Sequence, residues 1–233
     1  MTFIVGFKCH DGLVLCADSL EGDGYNKRYV EKLTQVESSK KEWGLAFGCS
    51  GDSAAIKNFT KKLGDVLDKD EPYNRPQMEN KIEACLKYMQ SSYPDESLDF
   101  VGALWGVRPQ ELNLYHSYPN RYCLSPESTF TCAGMDTSLA NTVMSSIFRF
   151  DTCVDDALKL GIFTTSLMKD KTDGVEGLTK AVSYKIGDNE WREHDDLEIA
   201  LSEEAYPLDA FYDAVEEFWR DPARRELRGE NAG

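Results

Sequence analysis

Two stretches near the N-terminus, Phe3 to Lys8 and Leu13 to Ala17, are apolar at nearly every position and not at alternate ones. Strands of that kind are covered on both faces, so helices or a second sheet must lie over each side. Between them His10-Asp11-Gly12 reads as a three-residue turn, which makes the pair a hairpin. After a polar, glycine-containing loop from Glu21 to Lys27, extended structure resumes in Val30-Glu31-Lys32-Leu33 toward Val36. A second hairpin then runs through Ser38 to Lys41 into Trp43 to Gly48.

The period changes after Gly51. Gly51-Asp52-Ser53 supplies the small and capping residues of a helix start. The spacing Ile56, Phe59, Leu63, Val66, Leu67 continues a helix, and Pro76 to Met89 predicts another with Ile82, Cys85, Leu86 and Met89 on one stripe. Strands return at Phe100 to Val107 and Glu111 to Ser117, joined by Arg108-Pro109-Gln110, and again at Thr129 to Ala133. Helices are predicted over Thr137 to Phe150 and Val154 to Met168. A strand pair, Ala181 to Ile186 and Glu190 to Arg192, follows, and Leu208 to Trp219 closes the chain as an acidic amphipathic helix. Blocks of strands alternating with pairs of helices suit an α+β fold of two stacked antiparallel sheets with a helix layer outside each, a four-layer α-β-β-α sandwich.

Composition narrows the function classes. At 233 residues with 41% hydrophobic positions, the chain supports one domain over 1–233, its last residues from about 220 a frayed, arginine-rich tail. A net charge of −15 disfavours nucleic acid as a partner. No apolar run approaches the roughly 18 residues of a membrane helix. With no secretory signal either, a cytoplasmic location is expected. The seven cysteines are widely spaced without a C-x-x-C pair, and none of the three histidines stands near one in zinc-like spacing. We therefore expect reduced core cysteines, no metal and no cofactor.

The candidate chemistry lies at the N-terminus. A threonine hydroxyl needs a base, and a free α-amine, with an ordinary pKa of about 7.7–8.0, can be one. Thr2 supplies both groups once Met1 is removed. With a three-residue turn, Cys9 pairs with Leu13, Thr2 faces Leu20, and Asp18 becomes the diagonal neighbour of Thr2; a two-residue turn shifts the register by one and turns Asp18 away. Lys32, read as lying within the third strand, needs a compensating carboxylate, which Asp18 provides. Each residue has a plainer explanation: Thr2 as a strand-starting threonine, Asp18 as a turn carboxylate, Lys32 as an edge lysine. Their joint spacing is what favours a site.

That spacing carries a resemblance. Thr2-Phe3-Ile4-Val5-Gly6, then Asp11-Gly12-Leu13-Val14-Leu15-Cys16-Ala17-Asp18, then Val30-Glu31-Lys32-Leu33, resembles the start of proteasome β-type subunits and the related bacterial heat-shock protease ring, members of the N-terminal nucleophile hydrolases. Phe47-Gly48-Cys49-Ser50-Gly51-Asp52 is similar to the family turn whose glycine N–H binds the oxyanion, which implies that role for Gly48; the alternative is a glycine required at a strand end. Such a donor contributes about 3–4 kcal/mol to acyl transfer. Lys169-Asp170-Lys171-Thr172-Asp173-Gly174 resembles another family segment and carries over Asp170 as an orienting residue. Met135 and Asp173 stand where the family has serines.

The resemblance implies a threonine-type endopeptidase acting on peptide or unfolded protein through an acyl-enzyme on Thr2, with Asp18 and Lys32 tuning it. It also implies a homo-oligomeric, self-compartmentalised ring, fed by an ATPase unfoldase of which the sequence itself shows nothing. A non-catalytic structural subunit and an amidase for a small non-peptide amide are the alternatives.

Overall fold

The structure is a computed structural model that describes residues 2–22, 27–72, 74–106, 111–119, 121–188, 190–205 and 208. Strands β1 (Phe3–Lys8) and β2 (Gly12–Asp18) form the N-terminal hairpin, buried along almost their whole length. A small hairpin of β3 (Leu20–Gly22) and β4 (Lys27–Tyr29) follows, then β5 (Leu33–Glu37) and β6 (Trp43–Gly51). Helices α1 (Ser53–Lys69) and α2 (Arg75–Ser92) precede β7 (Leu98–Gly106), β8 (Asn113–Ser117), β9 (Ser125–Glu127) and β10 (Phe130–Gly134). Helices α3 (Thr137–Ile147) and α4 (Val154–Lys171), strands β11 (Thr179–Lys185) and β12 (Arg192–Glu193), and helix α5 (Asp196–Ala205) complete the order.

Two five-stranded antiparallel sheets result, one ordered β10-β1-β2-β11-β12 and the other β5-β6-β7-β8-β9. Ile4, Leu13 and Leu15 of the first meet Ala46, Val101 and Leu114 of the second in the layer between them. The outer face of the first sheet buries Phe3, Phe7 and Cys16 under Met144 of α3 and Ile162 of α4. The outer face of the second packs Phe47 and Phe100 against Phe59 of α1, with Ile82 and Leu86 of α2 in the same cluster. This is the four-layer α-β-β-α sandwich that the run of strands and paired helices predicts.

Helix starts follow local chemistry. Asp52 accepts the Ala55 N–H at 2.8 Å to open α1, and Asn74 accepts the Gln77 N–H at 3.0 Å to open α2, with Pro76 in the first turn. Five of the seven cysteines are buried, whereas Cys123 is exposed and Cys153 half-buried.

Four sequence expectations need correction. The first turn holds two residues, not three: the Cys9 N–H bonds the Gly12 carbonyl, and Ile4 faces Ala17. Gly12 belongs to β2, where a side chain would run into the Tyr184 carbonyl of β11, so its glycine answers sheet crowding and not the turn. Lys32 does not lie within a strand; Val30 donates its N–H to Ser19 after the β3–β4 hairpin, and β5 starts only at Leu33. The helix predicted to reach Phe150 ends at Ile147, where the Phe148 N–H closes on Met144. The β3–β4 pairing, which takes in both ends of the loop expected over Glu21 to Lys27, the short edge strand β9 and helix α5, with the Glu198 N–H bonded to Asp195, lacked any predicted counterpart. The joint at 108–110, nearly all of the closing helix predicted over 208–219, and the tail from 220 lie outside the described residues.

Candidate active site

Asp18 is the last residue of β2, and its carboxylate organises the site. Continuing the hairpin register sets Phe3 opposite Asp18, the arrangement that would turn the carboxylate from Thr2 if its side chain stood out from the sheet. It does not stand out. Where the ladder ends, Oδ1 accepts the Phe3 N–H at 2.8 Å and Oδ2 accepts the Leu20 N–H at 3.2 Å, so the side chain takes over the backbone pairing of the strand end. The Lys32 ammonium reaches both oxygens, at 2.9 and 2.8 Å. The pair is closed to solvent, with side chains 6% and 0% exposed. Burial pulls the Lys32 ammonium below the ordinary lysine value, and the charge and hydrogen bonds of Asp18 offset that only in part.

Thr2, 8% exposed, sits one residue before the clamped Phe3. Its carbonyl accepts the Met135 N–H at 3.0 Å, and Phe3 pairs with Gly134 of β10. Gly134 has φ +100, and a side chain on it would strike the Thr2 carbonyl. Met135 therefore touches the nucleophile candidate through its backbone, a contact its side chain does not decide.

Thr2 and Lys32 line one cavity of about 990 Å³ whose wall also includes Phe47, Cys49, Ile56 and Thr60. Burial raises the Cys49 thiol, which keeps it protonated in that wall. At the rim Arg28 holds the Glu21 carboxyl below the usual carboxylate range. Among the described residues no cluster of three or more His, Cys, Asp and Glu side chains is arranged to hold a metal ion, and no helix is long and apolar enough to cross a membrane.

Three of the five candidate residues are thus brought together: Thr2, Asp18 and Lys32. Gly48 lies in β6 between Leu33 and Val101, flanked along the chain by the cavity-lining Phe47 and Cys49. A Cβ there would come within 2.9 Å of Ile4 Cδ1 and 3.2 Å of the Lys32 carbonyl, so the close approach of the two sheets explains the glycine by itself. Asp170, in the last turn of α4, has a half-exposed side chain 2.9 Å from the Lys171 ammonium and does not line the cavity.

Two polar clusters have no forerunner in the sequence reading. Glu203 of α5 accepts hydrogen bonds from Ser166, Lys169 and Thr179 through Oε1, at 2.8, 3.0 and 2.7 Å. Burial pushes its carboxyl up, yet these three donors together hold it below the usual range. The second joins Asp99, His116 and Thr131 across the layer between the sheets. His116, one of only three histidines, was the one visible signal for it.

Two stacked antiparallel sheets under outer helices, with the residue before the first strand opening on a cavity beside a buried lysine–aspartate pair, define the N-terminal nucleophile hydrolase fold. The family model for the proteasome subunit matches residues 2–177, more than half of the sequence, and the chain belongs to that family. Among solved structures it is similar to a Gly-1 mutant of Anbu from Hyphomicrobium sp. strain MC1, with TM-score 0.79 and 17% identity over 95% of this chain and 97% of the other. Anbu, described as an ancestral beta-subunit, from Yersinia bercovieri gives TM-score 0.78 and 14% identity over 94% and 97%. A helical assembly of the Anbu complex from Pseudomonas aeruginosa gives 0.72 and 15% over 99% and 98%. At these identities the likeness is one of fold. Comparison with curated proteins gave no sequence match.

Proposed function

We propose that the chain is a threonine-type peptidase that cleaves peptide bonds through an acyl-enzyme on Thr2. The observation that carries this reading is the solvent-excluded Asp18–Lys32 pair beside Thr2 at one cavity wall. With Met1 removed, the Thr2 α-amine takes the proton from Oγ as Oγ bonds the substrate carbonyl carbon. The Lys32 ammonium favours the alkoxide form of the hydroxyl. The Gly48 N–H is proposed to receive the oxyanion, a role that rests on its place between two cavity-lining residues and on the family motif. Collapse of the tetrahedral adduct breaks the C–N bond, and the leaving amine takes the proton from the α-ammonium. Water then enters, with the α-amine again as base, and hydrolyses the ester. Asp170 belongs to this proposal only as a support of the site's outer edge.

Family membership and the assembly of the Pseudomonas aeruginosa relative support a homo-oligomer enclosing the sites, one that takes unfolded polypeptide, with an ATPase unfoldase as its feeder. A non-catalytic structural subunit is the second reading, favoured by Met135 and Asp173 in place of serines and by Asp170 lying off the cavity. Intact mass and labelling separate the two. The peptidase should lack Met1 and add one equivalent of a β-lactone at Thr2, whereas a trimmed protein that takes no label is a structural subunit.

Activity should follow a bell-shaped pH profile. It should rise as the α-amine loses its proton, ordinarily at about 7.7–8.0, and fall as Lys32 loses its own, below the free-lysine value of about 10.4, since burial lowers Lys32. A rate that stays level from pH 8 to 10.5 would remove Lys32 from the mechanism.

A further inference from the structure

Asp99 of β7 faces into the layer between the sheets with its two oxygens committed to different elements. Oδ1 lies 2.7 Å from Nε2 of His116 in β8, and Oδ2 accepts the Gly134 N–H of β10 at 3.0 Å. On the other side of the ring, Nδ1 of His116 lies 2.7 Å from the Thr131 hydroxyl, also in β10. A carboxylate only accepts, so the network assigns the Nε2 proton to the Asp99 side and leaves Nδ1 to accept from Thr131. The ring is buried and stacked on Tyr118, with centroids 3.9 Å apart, which fixes its plane.

The network thus ties β7 and β8 of one sheet to both ends of β10 in the other. Gly134 is the residue that matters for chemistry: it pairs with Phe3, and the next N–H, that of Met135, holds the Thr2 carbonyl. Asp99 is also close enough to the cavity wall that its charge adds to burial in raising the Cys49 thiol.

We propose that Asp99, oriented by His116 and Thr131, is a positioning residue that sets the Gly134–Met135 turn and through it the place of Thr2 in the cavity. This rests on Thr2 being the nucleophile. Asp18 holds the Phe3 N–H from one side, and Asp99, through Gly134 and the Met135 N–H, acts on the Thr2 carbonyl from the other. Anchored at both its carbonyl and its N–H, the Thr2–Phe3 peptide unit fixes where the Thr2 Cα sits, which matters because a shift of about 1 Å costs roughly a hundredfold in rate.

Three variants of the full-length chain test it, each read by amide hydrogen exchange at Gly134 and Met135 and by kcat and KM on a peptide substrate. Asp99→Ala should speed exchange at both amides about tenfold or more and lower kcat about 10- to 100-fold while KM stays within about threefold, since placement and not binding is lost. Asp99→Asn should restore both readouts to within about threefold: its amide oxygen still accepts from Gly134, and its amide nitrogen donates to His116 in the other ring tautomer. If Asp99→Ala does not fold, Thr131→Val, which frees only the far side of the ring, should lower kcat about 3- to 10-fold. Unchanged exchange and kcat in Asp99→Ala, or in Thr131→Val where it stands in, overturns the proposal, as does an Asp99→Asn variant as impaired as Asp99→Ala. A wild-type protein without activity overturns the Thr2 reading, and the exchange arm then still decides whether Asp99 holds the turn.

Discussion

Thr2→Ala should abolish peptide hydrolysis and β-lactone labelling, with a loss of at least about a thousandfold, or about 4 kcal/mol of transition-state stabilisation. The substitution removes the attacking oxygen but leaves the α-amine, and alanine is small enough for Met1 still to be trimmed. Thr2 is nearly buried, and the contacts that place it are made by its carbonyl and by the Phe3 N–H. Thermal unfolding should therefore move little. Thr2→Ser, which restores a hydroxyl, should regain most of the activity. A residual rate within tenfold of wild type in Thr2→Ala would show that another group attacks the substrate.

The second large effect is on stability. Asp18→Ala takes away the carboxylate that faces the Lys32 ammonium and leaves the Phe3 N–H without its acceptor, while the Leu20 N–H keeps only the Glu176 carbonyl. Breaking one side of a buried ion pair costs about 3–5 kcal/mol, which for a chain of this size lowers Tm by roughly 10 °C. The cause is the burial of charge, so Asp18→Asn, which keeps an acceptor but not the charge, should recover only part of the loss. A Tm within about 2 °C of wild type for Asp18→Ala would contradict the solvent-excluded pair.

Much of this was legible in the chain, because local rules and tertiary packing agree over most of it. The apolar runs at residues 3–8 and 13–17 announced strands covered on both faces, and Asp52 announced the start of α1. The hairpin register was misread because Gly12 looked like a turn glycine, while the crowding that requires it comes from Tyr184, far along the chain. The register that forms instead is the one that, by strand alternation, turns Asp18 away from Thr2. What rescues the site is that the side chain of a strand-end aspartate can replace a backbone partner, which no alternation rule anticipates. Asp99, His116 and Thr131 were hidden for a related reason: they come from three strands, and nothing in their spacing links them.

The first sheet has a consequence for how the molecule comes together in time. Asp18 and Lys32 are 14 residues apart and can meet early, but β1 pairs with β10, and β2 with β11, across separations of well over a hundred residues. Closing such long loops before their contacts form slows folding. The Met135 bond that secures Thr2 thus waits for the middle of the chain, and the neighbouring β2 edge waits for a strand near its end. A residue at the head of the first strand is among the last to be fixed in place. A partly folded chain would hold its ion pair yet lack a placed Thr2, so the hydrolysis proposed for Thr2 should appear only with the finished sandwich.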